Sequence, residues 1–240
     1  MKKLFIVIPK FNGEKEIKKC LVSLQLIKVP KGWEIKIIVV DNSKTNLGFA
    51  RGVNVGIREA LKKGAEAVLL LNQDTKVEKD FLFSLLENPA DIVGPVIKFR
   101  RGGKWVYDFG GRINWWLGRN KHIEKFSIFN FQFSIDYVSG CAMMIRRGVF
   151  EKIGLFDERY FLYFEDADFC LRAKKAGFKI AIEPKSVIVH YLKEGRKKPL
   201  WQRWEAVKSN LIFINRWICW WRRPLAWGFW LVRGIKILIG

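Results

Sequence analysis

The chain has 240 residues, half of them hydrophobic, and a formal net charge of +21. This length allows one sizeable core or one core with an appendage, and the charge points to anionic partners: phosphorylated substrates, anionic lipid or nucleic acid. Four scattered cysteines with no Cys-x-x-Cys pair argue against a zinc ribbon and suit a reducing compartment, and two histidines, His122 and His190, exclude a multi-histidine metal site.

Residues 4–8 are an apolar run ended by Pro9, too short for a signal peptide and read as a buried first strand. Asn12-Gly13 marks a turn, and Ile17, Leu21 and Leu24 recur at helical spacing over 14–26. A second strand over 35–40 ends in Asp41-Asn42-Ser43. A helix is expected over 49–63, with Gly64 as its stop. Residues 67–71 are all apolar, the mark of a strand covered on both faces, and they end in Asn72-Gln73-Asp74. A short helix over 79–86 and a strand over 92–99 follow. Strands alternating with helices predict right-handed βαβ units and a mostly parallel central sheet flanked by helices, an α/β fold.

The pattern changes after residue 100. Residues 105–133 are aromatic and basic without periodicity and read as irregular strands and loops over the sheet. A strand-like stretch over 136–145 carries small residues at its middle, Ser139-Gly140-Cys141-Ala142. Helices are expected over 147–153 and 165–176, and strands over 179–182 and 187–190. From 185 onward there are twelve Lys and Arg against Glu194 and Glu205, and seven of the eleven tryptophans. The longest charge-free run there, 224–232, falls far below the ~20 residues a spanning helix needs. Tryptophan with arginine on a helix suits a membrane headgroup region; a helix pair packing its tryptophans on the sheet is the alternative.

Several nucleotide signatures are missing. No Gly-x-Gly-x-x-Gly follows the first strand, and there is no Gly-Lys-Ser/Thr loop and no Gly-x-Ser-x-Gly elbow. The strand ends carry chemistry instead. Ligands in open α/β sheets bind beyond the carboxyl ends of the strands. Asp74, with Asn72 two residues earlier, suits a hard divalent cation holding phosphates, or a turn and helix cap. Asp41 can accept from a base edge or a ribose hydroxyl, or form an Asx-turn. Arg51, in the first turn of its helix, opposes the helix dipole unless an anion binds there; a solvated arginine is the other reading. Glu165-Asp166-Ala167-Asp168 sits in a collar of Tyr160, Phe161, Tyr163, Phe164 and Phe169. Apolar surroundings raise a carboxyl pKa and prepare a general base, although acids are also common at helix starts. Arg172, one turn on, can pair with Asp168, leaving Glu165 or Asp166 for chemistry. His190 ends a strand before a basic loop, Glu194-Gly195-Arg196-Lys197-Lys198, of a kind that holds phosphates.

In this order and spacing, these pieces resemble an inverting glycosyltransferase of family two, GT-A fold, in its rhamnosyltransferase-like branch. The pieces are Ile6-Val7-Ile8-Pro9-Lys10-Phe11-Asn12, Val40-Asp41-Asn42-Ser43, Asn46 to Asn54, Asn72-Gln73-Asp74, Phe161 to Asp168, and His190. The resemblance implies that Pro9, Asn12, Asp41 and Asn42 line the nucleoside pocket, with Arg51, Asn54 and Asn72 close to the nucleotide. It implies Asp74 and His190 as ligands of Mg²⁺ or Mn²⁺, Asp166 as general base, and Glu165 and Asp168 as shapers of the acceptor site. Asn72 replaces the first carboxylate of the family's D-x-D motif, and Ser209 stands where relatives often carry arginine.

The activity so implied is transfer of a sugar, rhamnose by this branch, from a dTDP- or UDP-linked donor to a hydroxyl of a glycan or lipid-linked glycan, in cell-surface polysaccharide or glycolipid synthesis. Residues 1–200 would form the catalytic domain, 1–100 its nucleotide-binding half and 101–200 its acceptor half. Residues 201–240 would be an amphipathic extension holding a cytoplasmic enzyme to the anionic inner face of the cell membrane. Two rivals are a metal-dependent nucleotidyltransferase, which needs a second metal-binding carboxylate where Asn72 stands, and a basic nucleic-acid-binding protein, for which no recognised module is present. Nucleic acid is therefore not an expected partner.

Overall fold

Successive apolar residues have no polar face to offer water, and Ala67–Leu71 (β3) lies mid-sheet with every residue buried. Its side chains alternate: Val68 and Leu70 enter one core layer, Leu69 and Leu71 the other. The computed structural model describes residues 1–124, 135–192 and 198–239. The basic loop expected at 194–198 therefore lies outside the described residues apart from Lys198, as does the last third of the irregular stretch.

β1 (Lys2–Lys10) pairs in parallel with β2 (Trp33–Asp41) and with β3. β5 (Ile92–Arg101) and β10 (Ile180–His190) are parallel to each other. β9 (Ala142–Arg146) runs antiparallel between β3 and β5. β4 (Thr75–Val77) closes one edge antiparallel to β10, and β6 (Lys104–Asp108) folds back on β5. The order is β2-β1-β3-β9-β5-β10-β4. β1, β2, β3, β5 and β10 thus share one direction, and their carboxyl ends open on one edge of a mixed sheet. The sheet is mixed because the chain leaves at that edge after β5 and re-enters from it as β9.

Helices α1 (Glu14–Gln25) and α3 (Phe81–Glu87) cover one face with Ile17, Leu24, Leu82 and Leu85. Helices α2 (Gly48–Lys62), α4 (Arg147–Ile153) and α5 (Glu165–Lys175) cover the other with Val53, Ile57, Val149 and Phe169. A separate hairpin, β7 (Gly111–Asn114) and β8 (Arg119–His122), falls in the aperiodic stretch. The strand expected over 136–145 starts only at Ala142, because the small residues before it turn toward α5. The strands expected at 179–182 and 187–190 are one, β10, with its register shifted between Glu183 and Val187, where Pro184 has no N–H to give.

The boundary expected at 200 does not fall at a break in packing. α6 (Leu200–Trp217) puts Phe213 into the larger core, 5.0 Å from the Phe164 ring. Ser209 Oγ donates to the Leu162 carbonyl at 2.8 Å and so does not face a phosphate site, and Asn210 Nδ2 donates to that of Gly118 at 2.6 Å. α7 (Arg223–Ile239) packs Ala226 and Trp230 on Val207, Ile214 and Ile218. Trp201, Trp204, Trp220, Trp221 and Trp227 stay exposed. Among the described residues no helix is long and apolar enough to cross a membrane.

Candidate active site

The ends of β1 and β2 lie side by side, Pro9 opposite Val40 and Lys10 opposite Asp41. Asp41 accepts from the Ser43 N–H at 2.8 Å and from Lys10 Nζ at 2.9 Å. These bonds, those of Ser43 first, hold its carboxyl well below the usual carboxylate range. Asn12 is in a left-handed conformation (φ 53°) and donates its N–H to Ser43 Oγ at 3.0 Å. Gln73 ties this turn to the end of β3: its Oε1 accepts the Phe11 N–H at 2.8 Å and its Nε2 donates to the Asn12 carbonyl at 3.0 Å. This tie was not read from the sequence, where Gln73 stood only as the middle of a motif.

Beside these ends lies a cavity of about 290 Å³, lined among others by Pro9, Phe11, Asn42, Asn72, Asp74 and Trp201. Asn42 is buried, and its Oδ1 has no hydrogen-bond partner among the described residues. A buried acceptor left open in this way is rare without a ligand or water to fill it. Gly48 starts α2 at φ 74°, where an added Cβ would run into the Phe161 carbonyl oxygen. That close approach lets the Phe49 N–H donate to the same carbonyl at 2.8 Å and holds α2 against the 161–164 turn.

β4 and β10 bring the metal candidates together. Their register sets Thr75 opposite His190, and the Tyr191 N–H donates to the Asp74 carbonyl at 2.8 Å. Asp74 Oδ1 and His190 Nε2 are 3.1 Å apart. Burial works to lower the pKa of His190, but its contacts with Cys141 and Asp74 outweigh this and raise it well above the ordinary value. Among the described residues no three His, Cys, Asp or Glu side chains form a complete metal cage. One carboxylate and one imidazole fit a cation that takes its remaining ligands from diphosphate and water, as Mg²⁺ and Mn²⁺ do.

The second cavity, of about 430 Å³, shares Phe49, Asn72 and Leu162 with the first. Tyr163 and Phe164 are both left-handed, with φ of 72° and 68°. Two such non-glycine residues in succession are costly and mark functional turns. They reverse the chain so that Glu165 and Asp166 open α5 at the cavity wall. Asp166 Oδ2 accepts the Gly140 N–H at 3.0 Å, and Oδ1 accepts the Ala167 N–H at 2.8 Å. Burial raises the Asp166 carboxyl above its ordinary pKa; Glu165 is raised well above its own by burial and then by Asp166. Glu165 Oε2 is buried with no hydrogen-bond partner among the described residues.

A buried carboxyl raised in this way destabilises the fold progressively as pH climbs from its unfolded value of about 4.3 toward the higher folded one. Glu165→Gln is therefore expected to stabilise the protein at pH 8 by on the order of 1 kcal/mol, seen as a Tm roughly 2–4 °C higher. Melting curves across pH should show the gain vanish near pH 4.

The same cavity holds a pair missed in the sequence. His122 Nδ1 lies 2.7 Å from Asp108 Oδ2, while Asp108 Oδ1 accepts the Gly110 N–H at 3.0 Å. Burial lowers the pKa of His122, but Asp108 more than reverses this. His122 and Asp108 sit on paired edges of two hairpins, which no local spacing signals.

Three expected site residues are placed elsewhere. Arg51 faces Glu158 at 3.5 Å on the surface and does not line the first cavity. Asn54 is buried, donating to the Phe156 carbonyl at 2.9 Å and to Glu158 at 3.0 Å, and accepting the Phe156 N–H at 3.1 Å, so both its N–H groups are spent inside the fold. Asp168 is 0 % exposed and bound by Arg172 at 2.9 Å, Trp217 Nε1 at 2.8 Å and Arg216 at 3.3 Å, so it locks α5 to α6 instead of shaping the acceptor site. The Asp168–Arg172 pair itself is as expected. Asp41 and Asn12 stand beside the first cavity without lining it.

The dTDP-rhamnosyl transferase RfbF of Shigella flexneri is 32% identical over 149 residues, 60% of this chain and 49% of its own length, so the chain spans about half of that relative. The rhamnosyltransferase WbbL of Escherichia coli is 27% identical over 224 residues, 78% of this chain and 83% of its own. Among solved structures, GalNAc-T7 with UDP, GalNAc and Mn²⁺ superposes with a TM-score of 0.67 over 89% of this chain and 48% of that one; at 13% identity it shows the shared fold. The family model described as "Glycosyltransferase like family 2" matches residues 18–219, most of the sequence, and the chain belongs to that family.

Proposed function

We propose that the protein is an inverting glycosyltransferase that moves a sugar, rhamnose in our reading, from a dTDP- or UDP-linked donor to a hydroxyl of a glycan or lipid-linked glycan, in the synthesis of cell-surface polysaccharide or glycolipid. One observation carries this reading: Asp74 lines the first cavity, its partner His190 lines the second together with Asp166, and the two cavities meet at Asn72, Phe49 and Leu162. Rhamnose is supported by the names of the Shigella and Escherichia relatives.

The nucleoside occupies the first cavity, where Phe11, Phe161 and Trp201 offer faces for the base. Asn42 Oδ1 accepts from the base edge, and the exposed Asp41 accepts from the ribose. Asp74 and His190 would hold Mg²⁺ or Mn²⁺, which when bound would neutralise charge on the departing diphosphate. Asp166 takes the proton of the acceptor hydroxyl as that oxygen attacks the anomeric carbon from the face opposite the diphosphate. The anomeric C–O bond breaks with its electron pair going to the phosphate oxygen. Burial makes Asp166 a stronger base, and the Gly140 and Ala167 N–H groups fix its direction. His122, its Nδ1 occupied by Asp108, keeps Nε2 for another acceptor hydroxyl.

We place the protein at the inner face of the cell membrane as a peripheral protein. Support comes from the exposed tryptophans of the last forty residues and from their basic balance. The test of single displacement is the configuration of the new glycosidic bond, read by NMR of the product: inversion is expected, and retention would overturn the assigned role of Asp166.

A further inference from the structure

We propose that the groove between the β7–β8 hairpin and α7 holds the hydrocarbon chain of a lipid phosphate, the lipid portion of the acceptor; this rests on the lipid-linked acceptor reading above and assigns it a place. α7 has two apolar faces. Ala226 and Trp230 are buried, and Trp230 Nε1 donates to the Leu117 carbonyl at 3.2 Å. The neighbouring stripe, Leu225, Gly228, Phe229 and Val232, lies at helical spacing and lines a groove of about 830 Å³ with Leu117 and Arg119. Leu225 and Val232 are each 55% exposed. A Cβ added at Gly228 would meet nothing within 4 Å, so the floor of the groove is open.

The charge around this groove is one-sided. Among the described residues no acid lines it, and Arg119 stands in its wall. Arg222, two residues before Pro224 in that wall, is clamped between Trp116 and Trp221, its guanidinium carbon 4.3 Å from each ring centre. Its Nε is buried with no hydrogen-bond partner among the described residues. Apolar walls beside guanidinium groups that have no carboxylate partner among the described residues fit one long apolar chain carrying a phosphate. A second copy of a chain of net charge +21 would bring the same sign of charge to the groove.

Continuity with the active site supplies the second argument. β8 is four residues long; Arg119 lies in the groove wall, while Asn120 and His122 line the cavity that holds Asp166. A strand of that length spans about 10 Å. Arg119 and Asn120 point to opposite faces of β8, so a lipid-linked sugar that rounds this edge of the hairpin sets its reacting hydroxyl at Asp166 and its chain against α7.

The test titrates farnesyl diphosphate into the full-length protein, followed by tryptophan fluorescence and calorimetry, with inorganic diphosphate and farnesol as controls. Saturable binding is expected, tighter than either control by at least tenfold. Gly228→Leu fills the floor while favouring the helix; it should weaken binding at least tenfold with Tm and nucleotide-sugar binding unchanged. Arg222→Gln should weaken it about fivefold. Wild-type affinity in Gly228→Leu, or no binding beyond that of inorganic diphosphate, would overturn the proposal. So would tighter sedimentation of Gly228→Leu with phosphatidylglycerol vesicles, which would make the stripe a bilayer contact, or a wild-type dimer that this variant splits. None of these measurements uses sugar transfer, so a failure here leaves donor binding intact, whereas failure of the transferase reading appears as the loss of nucleotide-sugar binding.

Discussion

Asp166→Asn is expected to lower the turnover of sugar transfer by roughly 10³-fold, the usual worth of a general base, while the affinity for the nucleotide-sugar stays within about twofold. The expectation follows from position. Asp166 lines the second cavity and is absent from the first, and both of its oxygens are held by backbone N–H groups that an asparagine can satisfy only in part. Burial raises its pKa, and the base must be ionised to act. Activity therefore falls as pH drops through that raised value, and the acid limb of kcat/KM should lie above the ordinary carboxyl value of about 3.9. Single-turnover rates and calorimetric titration of the donor separate the two quantities. A variant that loses donor binding in step with turnover would show that the residue holds the donor site together.

Asp168→Asn is expected to act on stability instead. The Asp168 carboxylate has no exposure and faces Arg172, Arg216, Trp217 Nε1 and the Tyr160 hydroxyl. Removing one charge from a buried pair leaves the other uncompensated, at a cost of about 3 kcal/mol, a fall in Tm of roughly 6–12 °C for a chain of this size. Arg172 keeps the Ile153 and Leu155 carbonyls at 2.8 Å, which limits the loss. At a temperature where the variant is folded, its donor affinity should match that of the wild type. A variant of unchanged Tm and altered acceptor KM would return Asp168 to the acceptor site.

These two neighbours, one turn apart at most, show how far the sequence could be read. The cluster Glu165-Asp166-Ala167-Asp168 announced chemistry, but which carboxylate faces the cavity depends on the left-handed turn at Tyr163 and Phe164 and on α6 arriving from some fifty residues later with Trp217. Neither leaves a local trace. β3 and the strand-end groups were legible because an apolar run that stops at Asn72 and Asp74 admits few explanations in a parallel sheet. Asn54 and Arg51 were misplaced for the opposite reason: helix spacing places side chains on faces, and the Phe156–Glu158 loop that claims both is more than 100 residues away. β4 has three residues, too few for any period, yet it is the element that sets Asp74 beside His190. The His122–Asp108 pair lay in the aperiodic aromatic stretch, where hairpin register is fixed by turns and not by pattern.

Metal-assisted binding of a nucleotide-sugar at the strand ends is read by thermal shift with nucleoside diphosphates and nucleotide-sugars, in Mn²⁺, Mg²⁺ or EDTA. A ligand that binds the folded state raises Tm by mass action. A rise is expected with one nucleotide, dTDP- or UDP-linked, that EDTA abolishes and Asp74→Ala removes. No rise with any of them in the presence of metal, or a rise indifferent to both EDTA and Asp74→Ala, would contradict it.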